Sequence, residues 1–246
     1  MRPPTQGGEG QPGAAQPEAP RQFVNFNFFT VDPAWRRLPE GERVRGKREF
    51  GEVLESFRNR EVLVYSYSTQ GIHTGSELCL WRIGYRLEDF QEMTAQLLGT
   101  GLGTYLKMDY SLLGQTRRSL YVDKISPEHE ASRLRVVPGR YKYLFIYPFV
   151  KTRAWYKLTL PARQGMMDEH IQIGNKYPSV KLNTIYSFGL DDQEFVVAFE
   201  TDHPEHFLDL VMELRSSEAS QYTLRDTPIF TCVRREDSQA LDLLGG

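Results

Sequence analysis

Between residues 22 and 233 the chain passes twice through one succession of elements, strand, helix, strand, strand, helix, strand. That repetition narrows the folds open to it more than any other feature. In the first pass QFVNFNFFTVD (22–32) alternates apolar and polar residues, as a strand with one face on a core must. A helical stretch over 39–58 follows, then strands over 61–72 and 76–86 around a Gly71 to Gly75 turn. A helix is predicted over 87–106, with Phe90, Met93, Leu97 and Leu98 at helical spacing, and MDYSLLGQT closes the unit as a fourth strand. The second pass has strands over 141–150, 180–188, 194–201 and 228–233, and helices over 162–173 and 204–215.

Each pass is a ferredoxin-like βαββαβ unit, a four-stranded antiparallel sheet with helices on one face. Such a sheet leaves its other face and two edges in need of partners. Two units in tandem meet that need by packing sheet on sheet or by closing into a barrel. The predicted fold is therefore α+β: two tandem ferredoxin-like units forming a dimeric α+β barrel-like domain, with units over 22–122 and 141–240 and a charged linker over 123–140. Residues 1–21 are rich in Pro, Gly, Gln and Ala with almost nothing to bury, and read as a disordered tail.

The 246 residues, 40% hydrophobic and 25% charged, are ordinary for a globular chain. A net charge of −2 gives no reason to expect nucleic acid as a partner. No apolar run is long enough to span a bilayer and no apolar signal core opens the chain, so a cytoplasmic protein is expected. Cys79 and Cys232 lie in separate apolar runs and read as core thiols, not as a zinc framework or disulfide scaffold.

Conventional catalytic motifs are missing. There is no HExxH, no GxSxG, and no histidine placed near either cysteine. The glycines of GTGLG end a helix instead of joining a strand to one, which argues against a phosphate loop. His73 falls in a turn, and His203 and His206 bracket a helix start, where polar residues commonly meet water. His170 is different: it sits on a helix face with Met166, four residues earlier, after a strand rich in Tyr and Phe. That setting suits an axial ligand to the iron of a flat apolar macrocycle, and equally a helix-end imidazole favoured by the dipole. Tyr147 supplies an oxidisable phenol and Lys151 a cation for a carboxylate, with Arg133 and Arg135 upstream. Residue types alone leave these as strand and surface positions just as readily.

Taken together, YPFVK (147–151), WYKLTLP (155–161), MDEHIQIGNKY (167–177) and GLDDQEFVVAFE (189–200) are specific. The chain resembles the chlorite dismutase-like haem protein family and, within it, the coproheme decarboxylases, over essentially all of 22–233. The resemblance implies that His170 is the proximal haem-iron ligand, Tyr147 the tyrosine oxidised to a radical, and Lys151 and Arg133 the partners of the porphyrin propionates. It also exposes departures. Chlorite dismutases carry a distal arginine thirteen residues after the proximal histidine, where this chain has Asn183, and a glutamate beside that histidine, where it has Ala219 next to Glu218. A neutral amide stabilises an anionic oxidant less than a guanidinium does. Asn183 is therefore expected on the distal, substrate-binding side, with His129 or Glu130 as other candidates for the distal base.

The activity implied is hydrogen peroxide-dependent decarboxylation of two propionates of coproheme to vinyl groups. Iron coproporphyrin III is then substrate and cofactor at once, and haem b is the product. A peroxidase or chlorite-degrading enzyme of the same fold, or a non-catalytic haem-binding protein, is the alternative. The family implies a homo-oligomer, a pentamer.

Overall fold

The computed structural model describes residues 20–119, 121, 135–138 and 141–245. The first unit is β1 (Phe23–Val31), α1 (Glu40–Arg58), β2 (Leu63–Ser68), β3 (Leu78–Gly84), α2 (Leu87–Leu98) and β4 (Leu106–Gln115). The second opens with β5 (Tyr143–Lys151), α3 (Arg153–Lys157), α4 (Leu160–Asn175) and β6 (Lys181–Tyr186). It continues through β7 (Phe195–Thr201), α5 (Pro204–Arg215), β8 (Thr223–Arg225) and β9 (Phe230–Arg234) to a terminal α6 (Asp237–Leu243).

Hydrogen bonding runs β7-β6-β4-β1-β3-β2-β9-β5, and β5 pairs back onto β7. The sheet is thus a closed antiparallel barrel, with β8 adding to the far end of β5. Each unit contributes the same order, β4-β1-β3-β2 in one and β9-β5-β7-β6 in the other. Closure was one of the two arrangements open to the sequence, and it leaves neither sheet with a bare inner face. The seams between units are short: Tyr67 opposite Arg234 and Ser68 opposite Val233 on one side, Gln115 opposite Tyr186 on the other.

Strand alternation fills the barrel. Val24, Phe26 and Phe28 of β1 point inward to meet Trp81, Leu144, Ile146, Ile185, Ala198 and Phe230. Both thiols lie in this interior, free and fully buried. Outside, Phe29, Leu80, Phe50, Leu97 and Leu241 form a layer under α1, α2 and α6. A second outer layer joins Phe145, Tyr147 and Phe199 to Ile173 of α4 and to Phe207 and Leu210 of α5. None of the described helices is long and apolar enough to cross a membrane.

Several boundaries differ from expectation. The helix predicted over 87–106 stops at Leu98, and a 3-10 turn, Gly103–Tyr105, leads into β4. The reason is close packing: a Cβ on Gly103 would strike the Leu97 carbonyl, and one on Gly46 of α1 would meet the Leu102 backbone at 2.7 Å. GTGLG is a packing turn between two helices. The short α3, β8 and α6 were not foreseen, and α6 is pinned where Arg58 donates to both Asp237 carboxylate oxygens, at 2.6 and 3.0 Å.

Candidate functional site

β5 carries the site's first two groups because its two faces serve different layers. Leu144 and Ile146 point into the barrel, while Phe145, Tyr147 and Phe149 point out toward α4 and α5. Pro148 is accommodated because β9 pairs only with Tyr143 to Ile146, so no ladder donor is needed on that edge. The Phe145 ring stacks on Phe207 of α5 at 4.1 Å, and Tyr147 stacks on Phe199 at 6.0 Å. Tyr147 is buried, and burial raises its pKa; the Asp226 carboxylate pushes the same way and the Arg215 guanidinium opposes. It is a protonated phenol at neutral pH.

Lys151 ends the strand. Its buried ammonium donates to the Ala219 carbonyl at 2.6 Å and lies over the Trp155 ring at 4.7 Å. Desolvation lowers its pKa to about 8, against the pull of the Glu194 carboxylate. Glu194 accepts the Lys151 backbone N–H at 2.8 Å and the Tyr156 hydroxyl at 2.5 Å, and faces Arg153 at 3.7 Å. Sequence reasoning passed over Glu194. The available signal was a single acid at the entry to an apolar strand, within a motif already singled out.

α4 supplies the third group. Thr159 caps it by accepting the Ala162 N–H, and Pro161 fits its first turn, as the sequence implied. Its apolar face is only partly covered by the described residues: Ile173 is buried, whereas Met166, Met167 and Ile171 are half-buried. His170 sits among them. Burial lowers the His170 pKa to about 4, the Lys151 ammonium reinforces that shift, and Glu169 opposes it. The imidazole is neutral, with one ring-nitrogen lone pair available to a metal. Glu169 accepts the Glu218 N–H at 3.0 Å, which ties α4 to the 3-10 segment Glu218–Tyr222 whose Ala219 carbonyl receives Lys151. Ala219 is buried, and the Glu218 carboxylate accepts from Gln221 at 2.9 Å.

Three of the predicted site residues, Tyr147, Lys151 and His170, thus share the layer between the outer face of β5 and α4. Asn183 does not. It pairs with Ala198 and shares the barrel-facing side of β6 with Ile185. Its amide donates to the Ala198 carbonyl at 3.3 Å and to the buried Glu200 carboxylate at 2.9 Å. The outward residue there is Thr184, opposite Val197, which is itself opposite Tyr147. Counting thirteen residues from the histidine fixes a position along β6, but with a side-chain period of two it does not fix a face. The expectation of Asn183 on the distal side is corrected accordingly. Arg133, His129 and Glu130 lie outside the described residues.

A neutral imidazole on a partly uncovered helix face, an aromatic wall opposite, and a buried ammonium without a carboxylate partner among the described residues fit a flat metal-centred ring with acidic substituents. Fold and site together define a duplicated ferredoxin-like barrel with an imidazole-bearing helix over the outer face of its second sheet.

The chain belongs to the chlorite dismutase family, whose sequence pattern matches residues 43–235. A coproheme decarboxylase from Mycolicibacterium smegmatis is 27% identical over 215 residues, 87% of this chain and 90% of that one. A chlorite dismutase from Ideonella dechloratans is 28% identical over 211 residues, 84% of this chain and 74% of that one. The solved chlorite dismutase from Candidatus Nitrospira defluvii in complex with imidazole superposes with a TM-score of 0.83 at 28% identity, covering 92% of this chain and 95% of that one.

Proposed function

We propose that the protein is a coproheme decarboxylase that converts two propionates of iron coproporphyrin III to vinyl groups, giving haem b, with hydrogen peroxide as oxidant. One observation carries this reading: a single face of β5 presents a buried phenol and, four residues on, a buried ammonium that no carboxylate of the described residues salt-bridges, toward a helix bearing a neutral imidazole. Chlorite breakdown has no step that calls for the phenol, whereas a cation for a propionate suits any haem of this kind. The relative from Mycolicibacterium smegmatis bears the decarboxylase name over most of both chains.

His170 would hold the iron. The bound iron porphyrin supplies the oxidising equivalents drawn from peroxide. Tyr147 remains a phenol in the resting state because burial disfavours its anion, so it gives up an electron and a proton together. Its phenoxyl radical then takes a hydrogen atom from the propionate β-carbon, restoring the phenol. The carbon radical loses carbon dioxide and one further electron to leave a vinyl group. Per propionate, carboxylate, peroxide and one proton yield vinyl, carbon dioxide and two waters, so atoms and charge balance. Lys151 would pair with the carboxylate that reacts, and Arg133 with a second propionate. Holding a flexible propionate over one phenol is an orientation problem, and a buried cation at a fixed spacing on the same strand solves it.

Anaerobic loading with iron coproporphyrin III, peroxide titration and mass spectrometry of the porphyrin test the proposal. Two successive losses, each equal to carbon dioxide plus two hydrogen atoms, are expected. An unchanged porphyrin mass, with oxygen released from chlorite, would replace this reading with chlorite degradation.

A further inference from the structure

The start of α5 gathers a second set of donors that the proposed reaction does not use. His203 is the N-cap of α5 and Pro204 opens it, which brings His206 round to the same side one turn later. The two imidazole rings stack at 4.8 Å with an interplanar angle of 25°. His203 Nδ1 lies 3.2 Å from a Glu205 carboxylate oxygen. Donor atoms of His203, Glu205 and His206 all lie within 4.8 Å of one another, which makes them a ready metal-ligand triple among the described residues.

Two features show that the triple stands on a fixed base. His206 Nδ1 is 2.8 Å from Ser179 Oγ, across from the loop that enters β6. With Nδ1–H donating to that hydroxyl, the Nε2 lone pair is left for a ligand, the arrangement by which metal-ligating histidines are oriented. On the other side, the Thr201 hydroxyl accepts the His203 N–H at 3.0 Å, and Phe207, next to His206, is anchored on Phe145. The helix dipole disfavours a cation at this end, and the Glu205 carboxylate in the first turn offsets it.

We propose that His203, Glu205 and His206 form a binding site for a first-row divalent transition-metal ion such as zinc, cobalt or nickel, with water completing its coordination. Two imidazoles and one carboxylate select these ions over calcium and magnesium, which require oxygen cages. His203 and Glu205 are exposed, so the ion exchanges readily with a chelator.

The test uses the full chain without a polyhistidine tag, stripped of metal by chelator and titrated with cobalt(II), following ligand-field absorption, then displaced with zinc. One equivalent is expected in the native chain and in His170→Ala, which separates this site from the proposed iron ligand. His203→Gln with His206→Gln should abolish that equivalent, and Ser179→Ala should weaken it by roughly ten- to a hundredfold. Failure of the native chain to take up cobalt or zinc, or uptake by the double variant as tight as native, overturns the assignment. Circular dichroism should show all variants folded.

Discussion

His170 is held neutral by burial, and that has a cost that can be measured without any ligand. Its pKa falls from the ordinary 6.5 to about 4 on folding. Between those values the unfolded chain binds a proton that the folded chain does not, so stability is fully present above 6.5 and is lost as the pH falls toward 4. The loss is on the order of 3 kcal/mol. Urea midpoints of the porphyrin-free protein should therefore drop across this window, and His170→Gln should flatten that part of the dependence. An equal slope in both would show that the imidazole is not desolvated. At this scale the sequence was informative where chemistry announces itself: a histidine beside methionines, a tyrosine and lysine four apart. It was silent on facing. Asn183 lies at the expected distance from His170, yet its strand turns it into the barrel to meet Glu200, and no residue count reveals which way a strand face points.

At the scale of elements, β5 is the piece on which the site depends, and its last residue is fixed from β7's entry by Glu194. Replacing Glu194 with Gln keeps the acceptor for a backbone N–H but removes the charge that favours the Lys151 ammonium. Expected is a folded protein whose affinity for a carboxylate-bearing porphyrin falls about twofold or more, because a smaller share of Lys151 is then protonated at neutral pH. Absorbance titration with iron coproporphyrin III measures this, and native-like affinity would mean that Glu194 is structural only. The long elements were legible because their apolar spacing is regular: α5 matches its predicted 204–215 bounds. α3, β8 and α6 were not, since seven residues or fewer give periodicity little to show. The end of α2 was missed because it is set by the approach of Gly46 to the 99–103 turn, a contact distant in sequence.

For the whole molecule, the duplication and a barrel-like arrangement were visible in the order of elements, but the strand pairs that close the barrel were not, because closure rests on two narrow seams of few residue pairs. Gly114 borders one of them. A Cβ there would lie 2.5 Å from Ile185 Cγ2, 2.6 Å from Ser187 Oγ and 2.8 Å from the Tyr186 carbonyl. Gly114→Val should cost about 1–3 kcal/mol through overpacking of the β4–β6 seam. Gly165→Ala, on open α4 surface with nothing within 4 Å, should be neutral or stabilise by up to about 1 kcal/mol. Urea unfolding separates the two, and a seam variant as stable as native would argue against closure at that edge.

On the proposed reading, the barrel and its outer layer present the Tyr147 phenol and the Lys151 ammonium from one strand toward the helix that carries His170. The most direct test loads native protein and Tyr147→Phe with iron coproporphyrin III, adds peroxide, and follows the porphyrin mass. The variant should bind the porphyrin as the native chain does and show no loss of carbon dioxide, while native protein loses two. Two losses at the native rate from Tyr147→Phe would contradict the account.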